Sequence, residues 1–312
     1  MKMNIPSFLP TIINKIRDIG GEIMDLLLQV LINGLLIGGI YALISIGLTL
    51  LFGVVDIVNF AHGEFVMLGM YASYWTWVYT GADPIYTLIV SISGMFIVGV
   101  ITQKYLFSHI MKAPALTQIF LTVGLQLVLQ NGALMIFGSS TRSINFSWRE
   151  ETLKFAGVVV PVNMLVAFGL SLILAGILFV FLSKTDIGKA MKAAKLDRET
   201  AMLMGINTNK IFYIAAGIAA ALTGAAGTAI STFQYIQPLA GAHFGLMAYI
   251  VVILGGLGNL KGAFIGGLIL GIAESFGIQY ISANSGLLAA FILFLVVLFI
   301  KPSGLFTTKG AA

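Results

Sequence analysis

The chain has 312 residues, 59% of them hydrophobic and only 9% charged, with a mean hydropathy of +1.02. Globular proteins carry about 25% charge, so this composition excludes a soluble domain and reads as an all-α polytopic membrane protein. Zero cysteines exclude disulfides, thiolate zinc sites and iron–sulfur clusters, and His62, His109 and His243 are too dispersed for a metal centre. The net charge of +5 sits in loops, where it sets topology and meets anionic headgroups, so no nucleic-acid partner is expected.

Residues 1–25 carry Pro6, Pro10, Asp18 and Glu22 and lack a compact apolar run with a cleavage site, which argues against a secretory signal. They read as a tail, or as an amphipathic helix lying on the membrane surface over 7–24. Residues 26–303 read as a single transmembrane domain, and 304–312 as a short cytoplasmic tail. Apolar runs suited to spanning fall near 26–52, 65–80, 86–107, 116–137, 162–183, 211–233, 244–257, 262–281 and 286–300, giving eight or nine crossings.

Between the first two runs lies GVVDIVNFAHGE, residues 53–64, with Asp56, Asn59, His62, Gly63 and Glu64. An ionisable group at bilayer depth costs about 2.5–3.5 kcal/mol on insertion scales, so these residues need a protein partner or a water path. Gly53 and Gly63 permit the irregular backbone of a broken or re-entrant segment. Asp56 reads as a helix-terminal or capping carboxylate, and Asn59 as satisfying backbone groups freed at the break. His62 and Glu64 either lock the turn as a structural pair or line a gate. Further on, Gln118, Thr122, Gln126 and Gln130 share one helix face; they bond neighbouring helices or line a solute path. Glu274 within a span needs a partner from another helix, as a structural ion pair or hydrogen bond. Gly34/Gly38, Gly262/Gly266 and Gly267/Gly271, with the face of Gly217, Ala221, Gly224 and Thr228, mark close helix packing.

The stretch 184–210, with Lys184, Lys189, Lys192, Lys195, Arg198 and Lys210, is placed in the cytoplasm by the positive-inside rule. Counting from it puts 234–243 and 282–285, free of Lys and Arg, outside, and Lys261, Lys301 and Lys309 inside. Counting backward puts 138–160 outside despite Arg142, Arg149 and Lys154, and puts Lys2, Lys15 and Arg17 outside as well. A break at depth in 53–64, with one flanking half-helix turning back, removes that last conflict with the rule.

The run NGLLIGGIYALISIGLTLLFGVVDIVNFAHGEFVMLG, residues 33–69, resembles the signature of permease subunits of branched-chain amino acid ABC importers, and NFAHGE is its sharpest part. MGINTNKIFYIAAGIAAALTGAAG (204–227) and GGLGNLKGAFIGGLILGIAES (255–275) resemble the same family, and the short segment before the signature points to the H-type subunit. The resemblance implies a coupling loop within 184–210, where Glu199, Thr200, Ala201 and Gly205 match the Glu-Ala-Ala-x-x-x-Gly motif that docks on an ATPase, Thr200 departing at its second position. It also implies a second homologous permease subunit, two ATPase subunits and an extracytoplasmic solute-binding protein in a prokaryotic inner membrane.

No P-loop, Gly-x-Ser-x-Gly elbow or HExxH helix occurs, so the chain reads as a transport subunit and not an enzyme. No cofactor is expected on it; ATP and magnesium would be used by the partner subunits. The candidate pathway or gate is Asn59, His62, Gly63, Glu64, Gln126 and Gln130, with Asp56 and Glu274 as structural polar groups. Alternatives are an ABC permease for urea, amides or other small solutes, or a self-sufficient channel or ion-coupled carrier using Asp56, His62, Glu64 and Glu274.

Overall fold

The computed structural model describes residues 8–155 and 157–306. α1 (Phe8–Val55) is continuous, so no boundary appears near residue 25, and residues 1–7 and 307–312 of the expected tails lie outside the described residues. α2 (His62–Thr80) and α3 (Pro84–Thr102) follow, α3 continuing through a π-helical turn (Gln103–Phe107) into α4 (Ser108–Ile110). Next come α5 (Ala115–Phe137), strands β1 (Thr152–Phe155) and β2 (Val158–Pro161), and α6 (Val162–Lys184). α7 (Asp186–Leu196) and α8 (Arg198–Leu203) are short, and α9 (Thr208–Ser231), α10 (Ala240–Gly255), α11 (Leu260–Tyr280) and α12 (Gly286–Ile300) complete the chain.

Each apolar run read from the sequence falls in one of these helices. Six are long and apolar enough to cross a membrane: Ile23–Val55, Pro84–Ile110, Ala115–Phe137, Val162–Lys184, Thr208–Ser231 and Leu260–Tyr280. α10 and α12 are apolar but shorter. The all-α expectation needs one correction, because β1 and β2 pair antiparallel over 152–161. The valine run of β2 favours a strand, and Gly157 at φ 80° makes the turn.

Two faces are defined by contacts at the helix ends. On the hairpin face, the Gln29 amide pairs with the Val159 peptide, accepting from its N–H and donating to its carbonyl at 2.8 Å each. Asp83 caps α3 through the Ile85 amide and accepts 2.7 Å from the Trp148 indole. On the opposite, basic-loop face, Lys195 donates to Gly258 O at 2.9 Å, with Gly53 beside both. α1 therefore runs from the hairpin face to the basic-loop face, and α2 ends back on the hairpin face. The half-helix expected to turn back is absent among the described residues: the break interrupts a crossing without reversing it. Two basic residues of the hairpin loop, Arg142 and Arg149, are held locally: the Arg142 guanidinium lies 5.2–5.3 Å from the Tyr74 and Trp75 rings and donates to Phe137 O. Arg149 bonds Ile144 O.

The core is built on small residues. An added Cβ would meet Ile272 Cα at 2.6 Å from Gly34, and Gly38 Cα at 2.4 Å from Gly271, so α1 and α11 cross backbone to backbone. The Gly262 and Gly266 face of α11 packs on α10 at Gly255. α9 lies between α1, α2, α3 and α6, with Gly224 against Met95 and Gly217 against Phe96. α5 is the opposite case, with only 11% of its most apolar window buried. Gly271→Leu is expected to lower the thermal midpoint in detergent by several degrees, overpacking costing about 1–3 kcal/mol. Gly132→Ala, where an added Cβ meets nothing within 4 Å, should leave it unchanged or raise it.

Candidate functional site

α1 ends at Asp56, which takes φ 60° while its amide still bonds Phe52 O at 3.0 Å. Aspartate is among the few side chains that tolerate this left-handed geometry. Asp56 is exposed on the basic-loop face and lines a cavity of about 420 Å³ shared with Lys195 and Arg198. From there the chain climbs without helical bonds to His62, which lies beside Ile44 and Gly47 of α1. Ile44 is eleven residues above Val55, so the climb rises about 16 Å at 1.5 Å per residue.

Protein satisfies the open backbone of this climb. Asn59 is fully buried; its side-chain oxygen accepts from Ala61 N at 3.1 Å and its carbonyl from His62 N at 3.0 Å. The Thr122 hydroxyl reaches Val58 O at 3.2 Å from α5. His62 Nε2 lies 3.1 Å from Ile44 O, and because a carbonyl only accepts, that nitrogen carries the proton. Among the described residues, His62 Nδ1 and Asn59 Nδ2 are buried without partners.

The first turns of α2 and α10 meet here. A Cβ on Gly63 would stand 2.2 Å from Gly241 O, and one on Gly241 would stand 2.4 Å from Glu64 Oε2. Glu64 is fully buried, and neither of its oxygens has a hydrogen-bond partner in acceptable geometry, although the half-buried Gln126 amide is close enough to act on it. Gln130, one turn further along α5, is half-buried. No bond joins His62 to Glu64 among the described residues, so the lock between those two side chains is not formed. The junction is locked instead by backbone contact at Gly63 and Gly241.

The Tyr41 hydroxyl, whose oxygen lies 3.4 Å from His243 Nε2, is close enough to act on Glu274. The polar neighbour of Glu274 therefore comes from α1. Asp56, His62, Glu64 and Glu274 thus sit in four different settings, an exposed helix end, a backbone bond, a glycine contact and a tyrosine neighbour. Sequence reading missed Tyr41, Gly241 and His243. The spacing of Gly241 and Gly245, four apart like the other packing pairs, is the signal that finds the junction.

The basic loop forms a compact double turn. Asp197 caps α8, accepting from Glu199 N, Thr200 N and the Thr200 hydroxyl at 2.9, 3.1 and 2.6 Å. The Thr200 hydroxyl and amide, helped by the Glu199 amide, hold this carboxyl below its usual range against desolvation. Gly205 at φ 82° ends the turn. Glu199 and Thr200 are exposed, but Ala201 is buried and faces inward. The exposed apolar groups are Leu196, Leu203 and Met204, at 87%, 88% and 78%, with Met202 beside them. None of these four was singled out by the motif.

A family model described as the permease component of the branched-chain amino acid transport system matches residues 30–300. The high-affinity branched-chain amino acid transport system permease protein BraD of Pseudomonas aeruginosa is 31% identical over 294 residues, covering 89% of this chain and 95% of BraD. LivH of Escherichia coli, described in the same terms, is 29% identical over 89% of this chain and 94% of its own length. A probable branched-chain amino acid transport permease protein LivH of Methanocaldococcus jannaschii is 29% identical over 93% of this chain and 94% of its own. This multi-pass membrane chain therefore belongs to the family of permease components of branched-chain amino acid transport systems.

Proposed function

We propose that the chain is one of two homologous permease subunits of an ATP-driven importer for branched-chain or similar apolar amino acids, working in a prokaryotic inner membrane. The observation that carries this reading is the family match over residues 30–300, joined to an exposed apolar turn on the basic-loop face. That face is cytoplasmic in this reading, and the interrupted α2 and α10 each count as a crossing, giving nine. A binding protein delivers solute at the hairpin face, and two ATPase subunits, which hold ATP and magnesium, dock at α8.

Docking is carried by Leu196, Met202, Leu203 and Met204, with Glu199 at the rim. Force then has a short route inward. Lys195 on α7 holds Gly258 in the turn between α10 and α11, and Gly53 at the end of α1 packs on the same turn. α1 and α10 lead back to the Gly63–Gly241 junction, so a push on α7 and α8 bears on the place where two helices begin inside the fold. Alternating access arises as that junction parts, exposing Glu64, Gln126 and Gln130 to the solute. An apolar zwitterion needs few polar contacts on such a path, and tight recognition belongs to the binding protein.

Leucine uptake into proteoliposomes holding the full importer, with ATP inside and binding protein outside, tests the reading; uptake without the ATPase subunits would overturn it. Leu203→Asp with Met204→Asp is expected to cut ATPase co-purification about tenfold or more, a loss of at least ~1.4 kcal/mol. Both side chains are exposed, so the thermal midpoint of the chain should hold. Glu64→Ala should keep or raise that midpoint, because removing an unpaired buried group relieves about 1–3 kcal/mol. It should also lower uptake about tenfold; unchanged uptake would make Glu64 structural only. Because the Asp197 carboxyl is held down in the folded state, its capping is present at neutral pH and lost as acidification passes its lowered pKa. Asp197→Ala should therefore weaken ATPase retention at pH 7 and flatten its decline in acid.

A further inference from the structure

On the basic-loop face, α6, α7 and the turn leading into α11 enclose a concavity of about 850 Å³. Its charged rim is Lys192, Lys195 and Lys261, with Ser183 and Asn259 beside them, and Phe179, Leu182 and Leu260 form its apolar wall. Among the described residues no carboxylate lines it. The ion pair found among the described residues, Lys189 with Asp186, involves neither Lys192 nor Lys261, and both of these are exposed. Three like charges around one hollow repel unless an anion sits between them. α11, 21 residues long, starts at this rim at Leu260, adding the positive end of its backbone dipole to the lysines.

The hollow also continues into hydrocarbon. Leu165 and Leu172, seven residues apart on the same face of α6 as Phe179, are 41–42% exposed and lead from the hollow along the helix. A ligand that satisfies both parts carries an anionic head and long apolar chains. We propose that this concavity binds the phosphodiester headgroup of an anionic glycerophospholipid, with its acyl chains laid along the bare face of α6. A soluble phosphate would match the lysines but leave the apolar wall wet. The lipid would settle the charge around Lys195, the residue that ties α7 to Gly258. The proposal rests on membrane embedding and not on the identity of the transported solute.

The test uses the full chain with its accompanying subunits, in nanodiscs of phosphatidylcholine with graded phosphatidylglycerol. Bound lipid is counted by native mass spectrometry. The wild type should retain phosphatidylglycerol over phosphatidylcholine by about tenfold or more, and K192Q/K261Q should lose that preference. K189Q, whose lysine pairs with Asp186 outside the hollow, should keep it. The single variants K192Q and K261Q should show partial losses, and they decide the matter if the double variant is not recovered. Equal retention by wild type and variants overturns the proposal. Displacement of lipid by an equal concentration of glycerol 3-phosphate would assign the hollow to a soluble phosphate. Loss of the ATPase subunits with lipid occupancy unchanged would assign it to protein docking; either result overturns it.

Discussion

Peptide groups cannot face hydrocarbon unpaired, so a crossing whose first third is not helical stands only where protein covers it. Here the cover depends on the approach of Gly63 to Gly241, which leaves no room for a methyl group on either residue. That contact sets the depth at which α2 and α10 begin and confines Asn59, His62 and Glu64 between α1, α5 and α10. The polar residues of the break thus follow from its geometry: an Asn closes the turn, a His caps a carbonyl of the neighbouring helix, and a Glu fills what remains. Of these three, Glu64 alone has no hydrogen bond in acceptable geometry among the described residues, which is why it carries the functional reading.

The rest of the core extends the same solution. α11 presents glycines to α1 on one side and to α10 on the other, so three backbones lie nearly in contact. α5 supplies Thr122 and Gln126 to the junction while most of its surface stays bare. A helix that touches the central site on one face and leaves the other uncovered is suited to a second permease subunit or to lipid.

Much of this was legible in the sequence because the bilayer allows so few answers. Apolar runs had to be helices, and the small-residue pairs had to be crossings, as Gly34 with Gly271 bears out. What escaped reading depends on distance in space. Nothing in the run of residues links Tyr41 to His243 and Glu274, which stand 202 and 233 positions away in the chain. The hairpin at 152–161 escaped because a charged loop hid a short valine strand. Parity of charge suggested a turning half-helix, whereas the geometry has a crossing with an unwound base, since charge counts report faces and not the path between them. In the coupling segment the motif pointed to Ala201, which is buried, while the exposed apolar side chains stand just before and after it.

The burial of α9 bears on how the protein is made. Its best window has a mean hydropathy of 1.6 against 2.8 for α6, yet 78% of it is buried against 28%. A helix of alanine, glycine and threonine has little of its own to gain from lipid, and its place exists only once α1, α2 and α3 have formed its walls. Those three are synthesised first. Insertion of α9 is thus a docking event within a partly built protein, and a ribosome that stalls before it leaves an open slot at the centre of the bundle.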